Sequence, residues 1–250
     1  MRILLTNDDG IESQGLQLLL KKLNTEHEVW VVAPEYEMSG SSHSISIKTP
    51  IRVKKRGSKK FTLKGTPADC VILGLKCLIP GEIDLIISGI NHGPNLGTDI
   101  LYSGTVAAAR QGALNGKPSI ALSLANNDGH YHFNGPLEFI KKNLKIIYDN
   151  WSEGHFLNIN FPRHCTAPFE TAITFPSRRI YRDNFTTFNA PDGNMYYFMH
   201  GDDAYSYNEE GSDHYTIMHG KISISPVLIH PANHKIEEKY KITAFWKVDL

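Results

Sequence analysis

The sequence predicts an α/β fold: a mostly parallel sheet with helices on its faces, followed by a β-hairpin arm. Three observations carry this. Residues 2–33 hold a strand, a helix and a strand in close succession, and parallel neighbours require such a crossover. Asp84 to Ser88 is a continuous apolar run, as expected of a central parallel strand covered on both sides. Beyond Pro176, helical periodicity stops and aromatic, strand-like patches begin.

The elements follow in order. Residues 2–6 are an apolar run that is short enough to be only a strand. Leu16, Leu19, Leu20 and Leu23 share one helical face, and Val29-Trp30-Val31-Val32-Ala33 is a second buried strand. Ile45, Ile47, Ile51, Val53, Phe61 and Leu63 alternate enough to suggest a hairpin excursion over 44–64. Thr66-Pro67-Ala68-Asp69 starts a helix, with Thr as N-cap, Pro first and a carboxylate third; it runs to Leu78 and stops at Pro80-Gly81. A Gly- and Asn-rich loop covers 89–103, a helix 104–114, and a strand 119–124. Leu137, Ile140, Leu144 and Ile147 mark another helix, and Phe156 to Phe161 a strand closed by Pro162. Residues 1–175 are therefore assigned to the core.

Residues 176–250 are assigned to an arm and an oligomerisation segment. Pro191-Asp192-Gly193-Asn194 is a turn signal, across which Met195 to Met199 would pair with Tyr181 to Phe188. An aromatic arm of this kind is expected to contact another subunit. Lys221 to Val227 returns to the core as a strand, and Ile236 to Trp246 forms a terminal element of unassigned type.

Composition narrows the function. The 26 Lys+Arg balance 26 Asp+Glu, which argues against nucleic acid or an acidic membrane surface as a partner, although twelve histidines make the chain cationic at low pH. Cys70, Cys77 and Cys165 have no zinc-like spacing and are expected as buried, reduced thiols. With no signal-like or membrane-spanning stretch, a cytoplasmic protein is expected.

The chemistry concentrates at strand ends on one sheet edge. Asn7-Asp8-Asp9-Gly10 directly follows the first strand, at the carboxyl edge where open parallel sheets bind ligands. Two adjacent carboxylates repel unless a cation or proton joins them; an Asx turn or helix cap is the alternative reading. Ser39-Gly40-Ser41-Ser42-His43 follows the second strand, and Asn91 offers an amide oxygen after the 84–88 strand. Tyr102-Ser103-Gly104-Thr105 opens a helix whose free N–H groups favour an anion. There is no Walker motif and no GxGxxG. Oxygen donors of this kind suit Mg²⁺ or Mn²⁺ better than zinc, so the residues point to a metal-dependent, phosphate-handling enzyme. For His43 and His92 near this edge, a structural role is the first reading and proton transfer the second.

Thr6-Asn7-Asp8-Asp9-Gly10, Gly65-Thr66-Pro67-Ala68-Asp69-Cys70-Val71, Ser88-Gly89-Ile90-Asn91 and Tyr102 to Ala109 together resemble the survival protein SurE family of nucleoside monophosphate phosphatases. The likeness resumes at Gly211-Ser212-Asp213 and Gly220 to Pro226. It implies a Rossmann-like domain with a swapped C-terminal element, assembled as a homodimer or homotetramer through the arm. It implies one divalent cation per subunit, held by Asp8, Asp9, Ser39 and Asn91. A phosphate pocket around Gly40, Ser41, Asn95, Ser103, Gly104 and Thr105 is likewise implied, with Asp213 as a loop acid. Asp8, Asp9, Asn91 and Ser103 are then the catalytic set, for 5′-nucleotides, with 3′-nucleotides and short polyphosphate as further expected substrates. Gln111 stands where the family often has Glu. A metal-stabilised nucleotide sensor without turnover is the competing class.

Overall fold

The computed structural model describes residues 1–126, 129–201 and 204–230. The first unit is as the pattern predicts: β1 (Arg2–Thr6), α1 (Gln14–Leu23) and β2 (Glu28–Pro34). The excursion forms an antiparallel pair, β3 (Arg52–Gly57) and β4 (Lys60–Lys64). Thr66 caps α2 (Pro67–Leu73) through a reciprocal box: its hydroxyl accepts from Asp69 N, and its own N–H donates to the Asp69 carboxylate. The helix does not continue regularly to Leu78; a wide π-helical turn, Gly74–Leu78, begins where Gly74 packs against Leu4 and Val32.

β5 (Leu85–His92) is longer than the apolar run because its pairing with β6 resumes at Asn91 and His92 after an irregularity at Gly89-Ile90. Then come a 3-10 turn (Gly97–Leu101), α3 (Gly104–Leu114), β6 (Ser119–Leu124), α4 (Asn134–Asp149) and β7 (His155–Phe161). β8 (Thr171–Ile173) and β9 (Arg179–Ile180) lead into the arm, β10 (Asp183–Asn189) paired antiparallel with β11 (Met195–Gly201). β12 (Tyr205–Ser206), α5 (Asp213–Met218) and β13 (Ile222–Leu228) follow. The six-residue α5 is too short to show a period, although Ser212 caps it. The terminal element at 236–246 and the expected swap lie outside the described residues.

The main sheet runs β3-β4-β2-β1-β5-β6-β7-β13-β8, with every pair from β4 to β7 parallel and β13 antiparallel to β7. Alternation along β1 explains why both faces are covered. Ile3 and Leu5 pack with Leu16 and Leu19 of α1 and Ile140 of α4, while Leu4 packs with Val71 of α2 and Ala108 of α3. Fully burying such a side chain contributes about 1.5–3 kcal/mol. The result is the doubly wound, Rossmann-like arrangement expected from the sequence. Its strand order reverses at β1, which has β2 on one side and β5 on the other. The crevice at the carboxyl ends of β1 and β5 is therefore the switch point where such sheets bind ligands.

The arm has no such cover. All of β10 is exposed, and Phe185, Phe188, Tyr197, Phe198 and Met199 stand in solvent. Among the described residues no helix is long and apolar enough to cross a membrane. Cys70 and Cys165 are buried and free as expected, but Cys77, in the wide turn, is exposed.

Candidate active site

Asn7 makes the turn after β1: its amide donates to Gly10 O (2.9 Å) and Ser13 Oγ (2.7 Å). The backbone turn thus falls to Asn7 and leaves both following carboxylates for other work. Asp8 is nearly fully buried, and its carboxylate faces the start of α3, where the Thr105 hydroxyl and the Gly104 and Thr105 N–H groups bond it. Burial nevertheless raises its pKa above the ordinary carboxylate value. Asp9 is pushed up to about 7, first by burial and then by the charge of Asp8. His92 lies beside it, with Nδ1 3.9 Å from Asp9 Oδ1 and its backbone N–H donating to Asp9 Oδ2 (3.4 Å).

β5 delivers Asn91 through an irregularity. Pairing with β6 shifts register between Ser88 and Asn91, and Gly89 occupies the shift with φ +129°. A Cβ on Gly89 would stand 2.3 Å from Leu122 O, so only glycine fits. Asn91 Nδ2 donates to Gly93 O (2.9 Å), which leaves its amide oxygen for the crevice. His92 stacks on Tyr131 (4.6 Å between centroids), and burial lowers its pKa.

Ser103 is the N-cap of α3, accepting from Val106 N (3.1 Å). Its hydroxyl proton stays available to a ligand. The small-residue loop is tied to the same helix start, with Ser42 N donating to Tyr102 O (2.9 Å) and Ser42 Oγ to Leu101 O (2.6 Å). Ser41 Oγ is buried with no hydrogen-bond partner among the described residues, as befits an atom that a ligand completes. Ser103→Ala is expected to cost about 1 kcal/mol of stability through the lost cap, and to weaken competitive inhibition by phosphate. Denaturant titration and the inhibition constant for phosphate check the two halves.

Asp8, Ser39, Gly40, Asn91, Asn95 and Ser103 line one open cavity of about 200 Å³. Next to these lining residues, Asp9 accepts from His92 N (3.4 Å), and Gly104 packs against Asp8 and Ser41. Two expected placements change. Thr105 is fully buried with its hydroxyl committed to Asp8, so it orients that carboxylate instead of facing a phosphate. Asp213 is no exposed loop acid: it opens α5 at 0% exposure and accepts from Gly97 N (2.7 Å) and Ser177 N (2.8 Å). It clamps the loop before α3 to the base of the arm. Asp213→Ala is expected to cost roughly 1–3 kcal/mol for each donor it orphans, measurable by chemical denaturation.

Several residues escaped the sequence reading. Asn158 and Asn160, both fully buried on β7, donate to Asn95 O (2.8 and 3.0 Å), and Asn160 Oδ1 accepts from Asn95 N. Ser123 Oγ on β6 accepts from Asn95 Nδ2 (2.8 Å). Two asparagines at period two within an apolar strand were the available signal. Asp99 and Tyr181 also line the cavity, and Gln111 holds His43 (2.9 Å).

Fold and site together define a doubly wound α/β protein whose ligand crevice sets paired carboxylates against a helix N-terminus. The model of the family described as Survival protein SurE matches residues 3–183. The chain is 41% identical over 247 residues to the 5′-nucleotidase SurE of Syntrophomonas wolfei, covering 96% of this chain and 94% of that one. It is 43% identical over 249 residues to the 5′-nucleotidase SurE of Kosmotoga olearia, covering 96% and 97%. The solved structure of the SurE protein from Aquifex aeolicus superposes with a TM-score of 0.83 at 33% identity, over 96% of this chain and 98% of that one. The chain belongs to the SurE family.

Proposed function

We propose that this chain is a metal-dependent phosphatase that hydrolyses nucleoside monophosphates to nucleoside and phosphate, acting as a 5′-nucleotidase. The observation that carries the reading is one cavity bounded by the Asp8 carboxylate and the Ser103-capped start of α3 at the sheet's switch point. The names of the relatives support its 5′-nucleotidase part.

The residues present fit a divalent cation. Asp8, Asp9, Ser39 and Asn91 supply oxygen donors alone, and two desolvated carboxylates repel each other without a counter-charge. A bound cation would supply charge neutralisation at a phosphoryl oxygen and a more acidic water.

The protein's own part is positioning and electrostatics. Gly40, Asn95 and the Ser103 hydroxyl bind phosphoryl oxygens, and the α3 dipole stabilises their charge. Asn158, Asn160 and Ser123 hold Asn95 in place. Little covalent chemistry is then asked of the chain. The alternative is direct attack by a carboxylate, giving an aspartyl-phosphate. Stereochemistry at phosphorus separates the two: a single displacement by water inverts an isotopically chiral phosphoryl group, whereas two displacements through an aspartyl-phosphate retain its configuration. The exposed apolar faces of the arm support assembly with a second copy, as a dimer or tetramer.

Phosphate release from a panel of 5′- and 3′-nucleotides and short polyphosphate tests the reading. Release from 5′-monophosphates supports it; binding with no release from any of them means a nucleotide sensor.

A further inference from the structure

The cavity that holds Ser103 and Gly40 is also lined by two tyrosines that come from different parts of the chain. Tyr102 immediately precedes Ser103 at the start of α3, and Tyr181 comes from the base of the arm, just after β9. Their rings meet edge to face, 6.2 Å between centroids at 90°. Tyr102 is 56% exposed and Tyr181 42% exposed, although each is a large aromatic residue at the mouth of a polar crevice.

Tyr181 is also held. Its hydroxyl donates to one oxygen of Asp99, and Arg179 pairs with the other. Thr98 fixes Arg179 from both sides, its Oγ1 donating to Arg179 O (3.1 Å) and accepting from Arg179 N (3.0 Å). With its proton committed to Asp99, Tyr181 offers the cavity chiefly its ring and no free donor. A ring fixed in advance beside a phosphate site is a stacking platform, since immobilisation costs little on binding.

Building on the phosphatase reading, we propose that Tyr102 and Tyr181 form the nucleoside-gripping end of the site, stacking the base of the substrate while its phosphate lies at Ser103 and Gly40. Asp99 and Arg179 are positioning residues for Tyr181. The grip reads an aromatic face, and the distance between face and phosphate selects nucleotides over other phosphomonoesters.

The test compares AMP with ribose 5-phosphate, which carries the same phosphate and sugar without a base. For Tyr181→Ala, and separately for Tyr102→Ala, the ratio of kcat/KM for AMP to that for ribose 5-phosphate is expected to fall by roughly tenfold, in line with the contribution of one base–aromatic stack. The fall should lie in KM for AMP. Tyr181→Phe, which keeps the ring but loses its tie to Asp99, should recover most of the ratio. An unchanged ratio in both alanine variants overturns the proposal, and so does a Phe variant as impaired as Ala, because anchoring by the hydroxyl would then explain the loss. If the unmodified protein hydrolyses neither compound, the phosphatase reading itself has failed. Equilibrium titration with adenosine then judges the grip alone: weaker binding to Tyr181→Ala supports it, and equal binding overturns it.

Discussion

Asp9→Asn is expected to lose at least about a hundredfold in kcat/KM on nucleoside monophosphates while the folded protein becomes more stable. The activity loss follows from charge. The substitution keeps size and shape but removes one of the two charged donors that suit a divalent cation, and each 1.36 kcal/mol of lost transition-state stabilisation is about tenfold in rate. The gain in stability follows from the same geometry. Asp9 is mostly buried beside Asp8, and its pKa of about 7 stands well above the ordinary 3.8. The folded protein thus keeps a proton that the unfolded chain releases near pH 4. Unliganded wild-type protein loses stability as pH rises from about 4 to about 7, and the loss is complete above that. The Asn variant has no such titration, so its melting temperature, measured without added cation, should exceed that of wild type by more at pH 8 than at pH 5. Full activity with limiting Mn²⁺, or a variant destabilised at pH 8, would contradict the assignment.

Gly104→Ala should be nearly as damaging, for a steric reason. An added Cβ would lie 2.8 Å from Asp8 Cβ, 2.8 Å from Ser41 Oγ and 3.0 Å from Asp8 Oδ2. Those neighbours must move, and overpacking of this kind costs about 1–3 kcal/mol. Gly104 is the first residue of α3, outside the helix interior, so the better helix propensity of Ala offsets little of that. The protein should still stay folded at a cost of this size. The displaced group is the Asp8 carboxylate, however, and a misplacement of about 1 Å can cost roughly a hundredfold in rate. Kinetics on AMP together with a crystal structure of the variant check this: kcat should collapse and Asp8 should move. Wild-type kcat would show that the close packing of Asp8 on α3 is dispensable.

The parts of this molecule visible in its sequence are those whose signal is local. Continuous apolar runs located β1 and β2, helical spacing of leucines and isoleucines located α1 and α4, and Thr66-Pro67-Ala68-Asp69 announced its capping box. The carboxylates after β1 and the small residues at the start of α3 could be assigned to one edge because a parallel sheet collects its strand ends there. Long-range relations were not visible. Asp213 looked like a loop acid because nothing nearby in sequence shows that Gly97 N and Ser177 N converge on it. Thr105 looked like a phosphate ligand because its bond to Asp8 spans 97 positions. Tyr181 sits in a stretch without periodicity, and only the fold brings it to Asp99, 82 positions earlier. The six residues of α5 were too few to show a helical period.

The most direct measurement is phosphate release from AMP by protein stripped with EDTA and then titrated with Mn²⁺. No turnover is expected in the stripped protein and full recovery at one cation per chain, with Asp8→Asn and Asp9→Asn failing to recover. Turnover that is the same in EDTA as in Mn²⁺, or recovery by both variants, would contradict a metal site at Asp8 and Asp9.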